Sequence, residues 1–214
     1  MRIADGIVMA AALALGGCNM VVSDEPWLTR SDQALKMKPG VWVELDKPDC
    51  DYDQSAPVAE WPSCADPALI TEDGRFFGYE GKTASWNEIE VILDSETPTV
   101  VQVRMPAEFA ARAPEAPTYF YAGMRAVETD ANGHVTAMRS WLLVCGPVDN
   151  SEPPEGEMPS GVTKAPFAGL TIVGENCHAD DLDALRNAAA ESEALDDDAN
   201  IMHWVKHADA GMPE

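Results

Sequence analysis

The chain is poor in basic residues. Of its 214 residues only 14 are Lys or Arg, against 37 Asp or Glu, so the formal net charge at pH 7 is −23. A negatively charged surface repels phosphate-rich and other anionic partners. The composition argues against nucleic acid, the phosphates of lipopolysaccharide or an anionic lipid surface as a partner. It leaves cationic partners, metal ions or a plain solvated acidic surface.

The sequence also lacks the short motifs of common chemistries. It contains no nucleophile elbow, no phosphate-binding loop, no Rossmann glycine pattern and no zinc pattern with several Cys or His ligands. Carboxylates are so frequent that a pair of them does not indicate acid–base catalysis. These absences favour a non-enzymatic protein, and we predict no catalytic and no cofactor-binding residue.

A single apolar run stands at the start of the chain, and it is too short to span a bilayer. Residues 7–15 are all apolar, which is about half of the ~20 residues that a transmembrane helix needs. Arg2 precedes the run, and Gly16, Gly17 and Cys18 follow it. This order of positive charge, apolar stretch and small residues is typical of a secretory signal.

The end of that signal, Leu15-Gly16-Gly17-Cys18, resembles the lipobox of bacterial lipoprotein precursors. The resemblance implies cleavage before Cys18 and acylation of its thiol and new amino terminus, with the membrane as a partner through this lipid. Asn19 favours the outer membrane, facing the periplasm, over the inner membrane. We therefore predict a signal peptide at 1–17, a lipidated tether at 18–38 and a single domain at 39–214.

Four cysteines follow Cys18, and an even number in an exported chain indicates disulfides. Three pairings are possible. We favour Cys50–Cys64 and Cys145–Cys177, because each closes a separate loop rich in Pro, Asp or Gly.

Residues 68–146 contain short runs that alternate between apolar and polar side chains, as Val101, Val103 and Met105 show. Asn132-Gly133 is a strong hairpin signal between two such runs. The pattern predicts an α+β protein. Its main part is an antiparallel β meander, in the form of a curled sheet, a sandwich or a barrel-like sheet, followed by one or two C-terminal helices.

The C-terminal segment carries apolar residues at helical spacing. Asp180 or Asp181 is a candidate cap for a helix through about residue 195, and Leu182 and Leu185 lie on one face of it. A second short helix is predicted at roughly 199–208. On such a helix His203 and His207 would share a face and could bind one metal ion.

Gly40-Val41-Trp42 opens an alternating strand and matches the Gly-x-Trp of lipocalins, some of which are bacterial outer-membrane lipoproteins. The wider Lys38–Trp42 stretch also resembles the opening of small exported proteobacterial proteins of uncharacterised function. The lipocalin likeness implies a small apolar ligand.

The loop after this strand is rich in carboxylates. Asp49, Asp51, Asp53 and Glu60 stand at relative positions 1, 3, 5 and 12, the spacing of a calcium-binding EF-hand loop. Gln54 replaces the glycine of that loop, and a strand rather than a helix precedes it. The alternative is a solvated loop closed by a disulfide.

Three functions follow from these observations. The first is a non-enzymatic interaction or accessory lipoprotein of the cell envelope. The second is a lipocalin-like binder of a small apolar ligand, and the third is a divalent-cation-binding protein.

Overall fold

The computed structural model describes residues 19–30, 35–45, 47–106, 116–147, 163–196 and 200–213. β-Strands are the predominant regular structure among them, and one α-helix of twelve residues is described. The strands are β1 (Val22–Ser23), β2 (Gly40–Glu44), β3 (Ala68–Ile70), β4 (Phe76–Glu80), β5 (Ser85–Ile89), β6 (Val91–Leu93), β7 (Thr99–Arg104), β8 (Tyr119–Thr129), β9 (Val135–Leu142), β10 (Leu170–Val173), β11 (Asn176–Ala179) and β12 (Asn200–Lys206), and the helix is α1 (Leu182–Glu193).

The main sheet curls into a nearly closed, barrel-like ring. Its strands follow the order β5-β4-β3-β2-β12-β9-β8-β7-β6, and neighbouring strands are antiparallel. The two ends of this order, β5 and β6, are consecutive in the chain and only Glu90 lies between them. Residues 85–93 therefore pair with β4 in their first half and with β7 in their second half. The predicted antiparallel, barrel-like meander is confirmed.

Alternation along the strands separates an inner and an outer face of the ring. The inner face carries one apolar cluster, which includes Trp42, Val101 and Ala122. The outer face carries two further clusters, each covered by chain from outside the ring.

The first outer cluster lies under α1 and the β10–β11 hairpin, against β7, β8 and β9. The predicted helix cap is Asp181, whose carboxylate accepts the Ala184 N–H at 2.8 Å. Leu185 and Ala188 are fully buried on the face of α1 that packs on the sheet. The helix predicted through about residue 195 is thereby confirmed.

The second outer cluster lies under residues 47–67, where Val58 and Trp61 pack on Val41 and Leu69. This loop contains the Cys50–Cys64 pair, and Cys145–Cys177 ties the segment just after β9 to β11. In both pairs the Cα atoms are 5.7 Å apart and the sulfur atoms are at disulfide distance, as predicted.

The prediction of a second C-terminal helix is wrong, because residues 200–206 form β12. Its inner side chains, Met202 and Trp204, alternate with outer ones such as Ile201. The backbone pairs with β9 on one side and with β2 on the other. A short apolar segment fits either periodicity, and the two strands beside it supply the hydrogen bonds that make it a strand.

Residues 19–28, which belong to the predicted tether, pack against the folded body in the structure. Asn19 is 2% exposed and Val21 is completely buried. Val22 and Ser23 pair with Phe120 and Tyr119 of β8. Because the partners of this segment lie about a hundred residues away in the chain, no local pattern indicates the packing.

An ion pair joins α1 to the end of β6. The Arg186 guanidinium donates to both carboxylate oxygens of Asp94, at 2.7 and 3.2 Å. Burial acts to raise the pKa of Asp94. The hydrogen bonds from Arg186 and the Ser95 N–H and the charge of Arg186 outweigh that effect, so the pKa lies below its ordinary value of 3.8. A carboxyl with a lowered folded-state pKa stabilises the fold above its unfolded-state pKa, and this contribution is lost as the pH falls through the folded-state value.

We expect Arg186→Met to lower the free energy of unfolding at pH 7 by about 1–3 kcal/mol, because it leaves a buried carboxylate without its charged donor. The difference from the unchanged protein should shrink as the pH falls below the unfolded-state pKa of about 4 and through the lower folded-state pKa of Asp94. Urea titrations at a series of pH values measure both effects. Arg104→Met is the matched control, since Arg104 pairs with Glu90 at the exposed surface and should cost less than about 1 kcal/mol. A loss at Arg186 that does not shrink anywhere below about pH 4 would contradict the assignment.

Candidate binding cavity

An apolar cavity of about 540 Å³ lies within the ring. Its wall is built from inward side chains of strands on both sides of the ring, including Phe76, Ile89, Val91, Met124, Met138 and Met202. A ring of about eight strands has an interior that side chains just fill, or that holds one small ligand. With this cavity volume, the ring is one that can hold a small ligand.

Small inward residues create the space. Ala68 of β3, Gly78 of β4 and Ala122 of β8 line the cavity where bulkier residues would fill it. Larger side chains around them, such as Phe76 and Met138, stay only partly buried although they point inward. Protein interiors are normally packed as densely as organic crystals. Partly buried apolar side chains on an inner face therefore mark an unfilled interior.

Two tryptophans pack across the inner face at one end of the ring, which we call the tryptophan end. Trp42 of β2 and Trp204 of β12 stand opposite each other in the strand register. The Trp42 indole N–H donates to the Lys38 carbonyl at 3.0 Å, and that of Trp204 donates to the Pro39 carbonyl at 2.9 Å. The Lys38 ammonium lies 3.8 Å from the centre of the Trp204 ring.

Gly40 makes this packing possible. Its φ is +135°, which residues with a side chain rarely adopt, and a Cβ there would collide with the Lys206 carbonyl and the Trp204 indole. The Gly-Val-Trp motif thus has a structural role in the inner core of this ring.

The opposite end of the cavity, which we call the open end, is polar. Glu44, Lys47, Asp66, Asp196 and Asn200 line it. All the charged side chains among the described lining residues belong to this group, so the cavity is apolar below a charged rim. A mostly apolar pocket with a few polar groups is the usual form of a small-molecule site.

A second cavity, of about 670 Å³, lies at the tryptophan end and has a mixed lining. Asp130 is central to its charges: its carboxylate lies 3.9 Å from the Lys38 ammonium and 3.6 Å from the His134 ring nitrogen. Backbone hydrogen bonds from His134 and Asn132 help to hold the pKa of Asp130 below its ordinary value, although slight desolvation opposes them. It shares Phe76, Val91 and Leu93 with the first cavity, but charged side chains form a larger part of its lining.

The candidate calcium ligands belong to the outer loop. Asp53 uses its carboxylate internally, accepting the Ser55 N–H at 2.9 Å and the Ser55 hydroxyl at 2.7 Å, and these bonds lower its pKa. Glu60 ends the short 3₁₀ turn Val58–Glu60. Within the described parts of the chain, no three His, Cys, Asp or Glu side chains are grouped as a metal site would require. A site formed by Asp49, Asp51, Asp53 and Glu60 stays a prediction.

The idea that His203 and His207 share a helix face is wrong, because β12 ends at Lys206 and is extended. Four residues of extended chain span about 13 Å, too far for two ligands of one ion. The His207 ring instead packs edge-on against Trp204, with ring centres 5.2 Å apart.

The predicted signal at 1–17 and the lipidation site Cys18 lie outside the described residues. In the described part of the chain, no helix has the length and apolarity needed to cross a membrane.

Fold and cavity together define an antiparallel, barrel-like protein with an apolar interior and a charged rim. No protein-family model, no curated protein and no solved structure matches the chain. Sequence reasoning missed the residues of the cavity. The available signal was the alternation of Val101 and Val103, but it does not distinguish a filled interior from an empty one.

Proposed function

We propose that this protein is a lipid-anchored binding protein of the cell envelope that holds a small apolar ligand inside the barrel-like ring. The observation that carries the proposal is the apolar cavity of about 540 Å³. Ligand sites usually have volumes of about 300–1,000 Å³, so a small molecule or one hydrophobic chain is the appropriate occupant.

The chemistry of the lining supports an apolar ligand of variable shape. The charged groups are confined to the rim, so the part of the ligand inside the ring carries no charge that the wall would neutralise. Three of the inward residues are methionines, Met124, Met138 and Met202. Their flexible thioether side chains adapt to irregular ligands.

The anchor is the second element of the proposal, and it rests on the lipobox-like Leu15-Gly16-Gly17-Cys18. Two acyl chains hold a protein stably on a bilayer, since each buried CH₂ contributes about 0.8 kcal/mol. The protein would then act at the membrane surface, with its acidic body in the periplasm.

A fluorescence titration tests the binding function. The chain from Asn19 onward, exported behind an ordinary cleavable signal and purified without detergent, should bind the apolar dye N-phenyl-1-naphthylamine at a single saturable site with a Kd of about 1 μM, which corresponds to about 8 kcal/mol. An uncharged long-chain alcohol should displace the dye. Absence of saturable binding by a folded chain would refute the proposal.

A further inference from the structure

We propose that the open end of the ring faces the membrane that carries the anchor, and that the cavity takes its ligand directly from that bilayer. The ligand class is then a membrane amphiphile with an apolar body and a neutral or zwitterionic head. The inference rests on the proposed function, because it needs both the acylated Cys18 and the cavity.

The fold begins immediately after the anchor. The Asn19 N–H donates to the Glu175 carbonyl at 2.5 Å, and the Asn19 side-chain amide donates to the Gly146 carbonyl at 2.9 Å. The Thr163 N–H donates to the Asn19 side-chain oxygen at 3.2 Å. One peptide unit, about 3.8 Å between Cα atoms, separates Cys18 from this buried residue. The folded body is therefore held against the bilayer and has no spacer that would let it turn freely.

The anchored corner lies at the open end of the ring. Met20 forms an isolated bridge with Val144, which lines the cavity just beyond the end of β9. The Val144 N–H donates to the hydroxyl of Ser192, another lining residue, at 3.0 Å. β9 runs toward Val144 from the Asn132-Gly133 turn at the tryptophan end, so acyl chains on Cys18 would enter the membrane beside the rim.

Exposed apolar side chains are concentrated at the open end. Five of the seven large apolar side chains that are exposed in the described parts of the chain lie at this end: Leu45, Leu195, Ile201, Ile172 and Val173. The first three flank rim residues Glu44, Asp196 and Asn200, and the last two lie on the β10–β11 hairpin, whose turn residue Glu175 holds Asn19. Apolar side chains gathered around a cavity mouth and an anchor are suited to the interfacial region of a bilayer.

The charge of the rim selects among membrane amphiphiles. Three carboxylates, Glu44, Asp66 and Asp196, line the open end together with one ammonium, Lys47. An anionic head group would meet net negative charge there. A neutral or zwitterionic amphiphile is therefore favoured over a fatty-acid anion.

Site-specific quenching tests the orientation. The full lipidated chain, with a fluorophore on Leu195→Cys, is placed in phosphatidylethanolamine vesicles that contain a minor fraction of phosphatidylglycerol and nitroxide-labelled lipid. We expect quenching several-fold stronger than for the matched label on Val127→Cys, an exposed position on β8 toward the tryptophan end. Equal quenching at the two positions overturns the inference, and so does a chain whose Cys18 carries no lipid by mass spectrometry.

A spacer variant tests direct loading. A Gly/Ser linker of about 20 residues between Cys18 and Asn19 moves the body away by about 25 Å on average. N-phenyl-1-naphthylamine dissolved in the vesicles should then enter the cavity several-fold more slowly than in the unchanged lipidated chain. Equal loading rates refute direct transfer.

The two proposals fail separately. The detergent-free titration of the chain from Asn19 measures ligand binding in the absence of a membrane. The quenching difference measures which end of the ring faces the bilayer, and it needs no ligand. Saturable binding with equal quenching leaves the binding function standing and removes the orientation. A quenching difference without dye binding leaves only the orientation. The charge preference is tested by comparing a long-chain alcohol with the matching fatty acid at a pH where the acid is ionised. Equal affinities would refute the claim that the acidic rim disfavours anionic head groups.

Discussion

Replacing Met138 with tryptophan should lower the affinity of the cavity for N-phenyl-1-naphthylamine about ten-fold or more. Met138 projects from β9 into the cavity and is only partly buried there. The larger indole would occupy space that the ligand needs, and a ten-fold loss corresponds to about 1.4 kcal/mol of binding free energy. Fluorescence titration of the folded variant measures the change.

The stability of Met138→Trp separates a blocked cavity from a damaged fold. Overpacking a filled core costs about 1–3 kcal/mol, whereas a side chain that enters empty space should leave the free energy of unfolding within about 1 kcal/mol of its original value. Val127→Trp is the matched control, since Val127 is 50% exposed on the outer face of the neighbouring β8. It adds the same indole and should leave dye affinity unchanged. Unchanged affinity in Met138→Trp would mean that the dye binds elsewhere.

Replacing Trp42 with alanine should lower the free energy of unfolding by about 3–5 kcal/mol, the cost of removing a large aromatic side chain from a packed core. Trp42 is completely buried. Its loss would open the tryptophan end and leave the Lys38 carbonyl without the indole N–H that it accepts. Equilibrium unfolding in urea, monitored by circular dichroism, measures the change as a shift in midpoint.

Trp27→Ala provides the comparison for Trp42→Ala. Trp27 is 37% exposed, and its backbone N–H donates to the Gln102 side chain at 2.8 Å. Because alanine retains that N–H, the cost should stay near the surface range of about 0.5 kcal/mol. A loss for Trp42→Ala no larger than for Trp27→Ala would argue against Trp42 as the inner anchor of the ring.

Local patterns were sufficient for much of the architecture. The Asn132-Gly133 turn lies between β8 and β9, as predicted. Asp181 caps α1 because its side chain needs only the N–H three residues later. The disulfide pairs follow the two separate loops that their positions define. The turn and the cap depend on residues that are close together in the chain. The disulfide pairing depends on which two cysteines close the same loop.

The candidate site depended on contacts that local patterns do not encode. The spacing of Asp49, Asp51, Asp53 and Glu60 suggested a set of calcium ligands. In the structure these residues belong to an outer loop, where the Asp53 carboxylate accepts a hydrogen bond from Ser55. The cavity is made from side chains of many strands, and its volume depends on how far apart the opposite walls stand. Alternation along one strand indicates which side chains point inward and not what they meet there.

The sequence by itself determined that this is an antiparallel β protein with a capped C-terminal helix and two disulfide pairs, since turn, cap and alternation signals act over a few residues. The tertiary structure alone decided that residues 200–206 are a strand, that residues 19–28 belong to the body and that the interior is hollow. His203 lies beside Val43 in the ring although 160 positions separate them in the chain. Pairing over that distance is decided by the partner that satisfies a segment's backbone hydrogen bonds and apolar face, and no local window contains that partner.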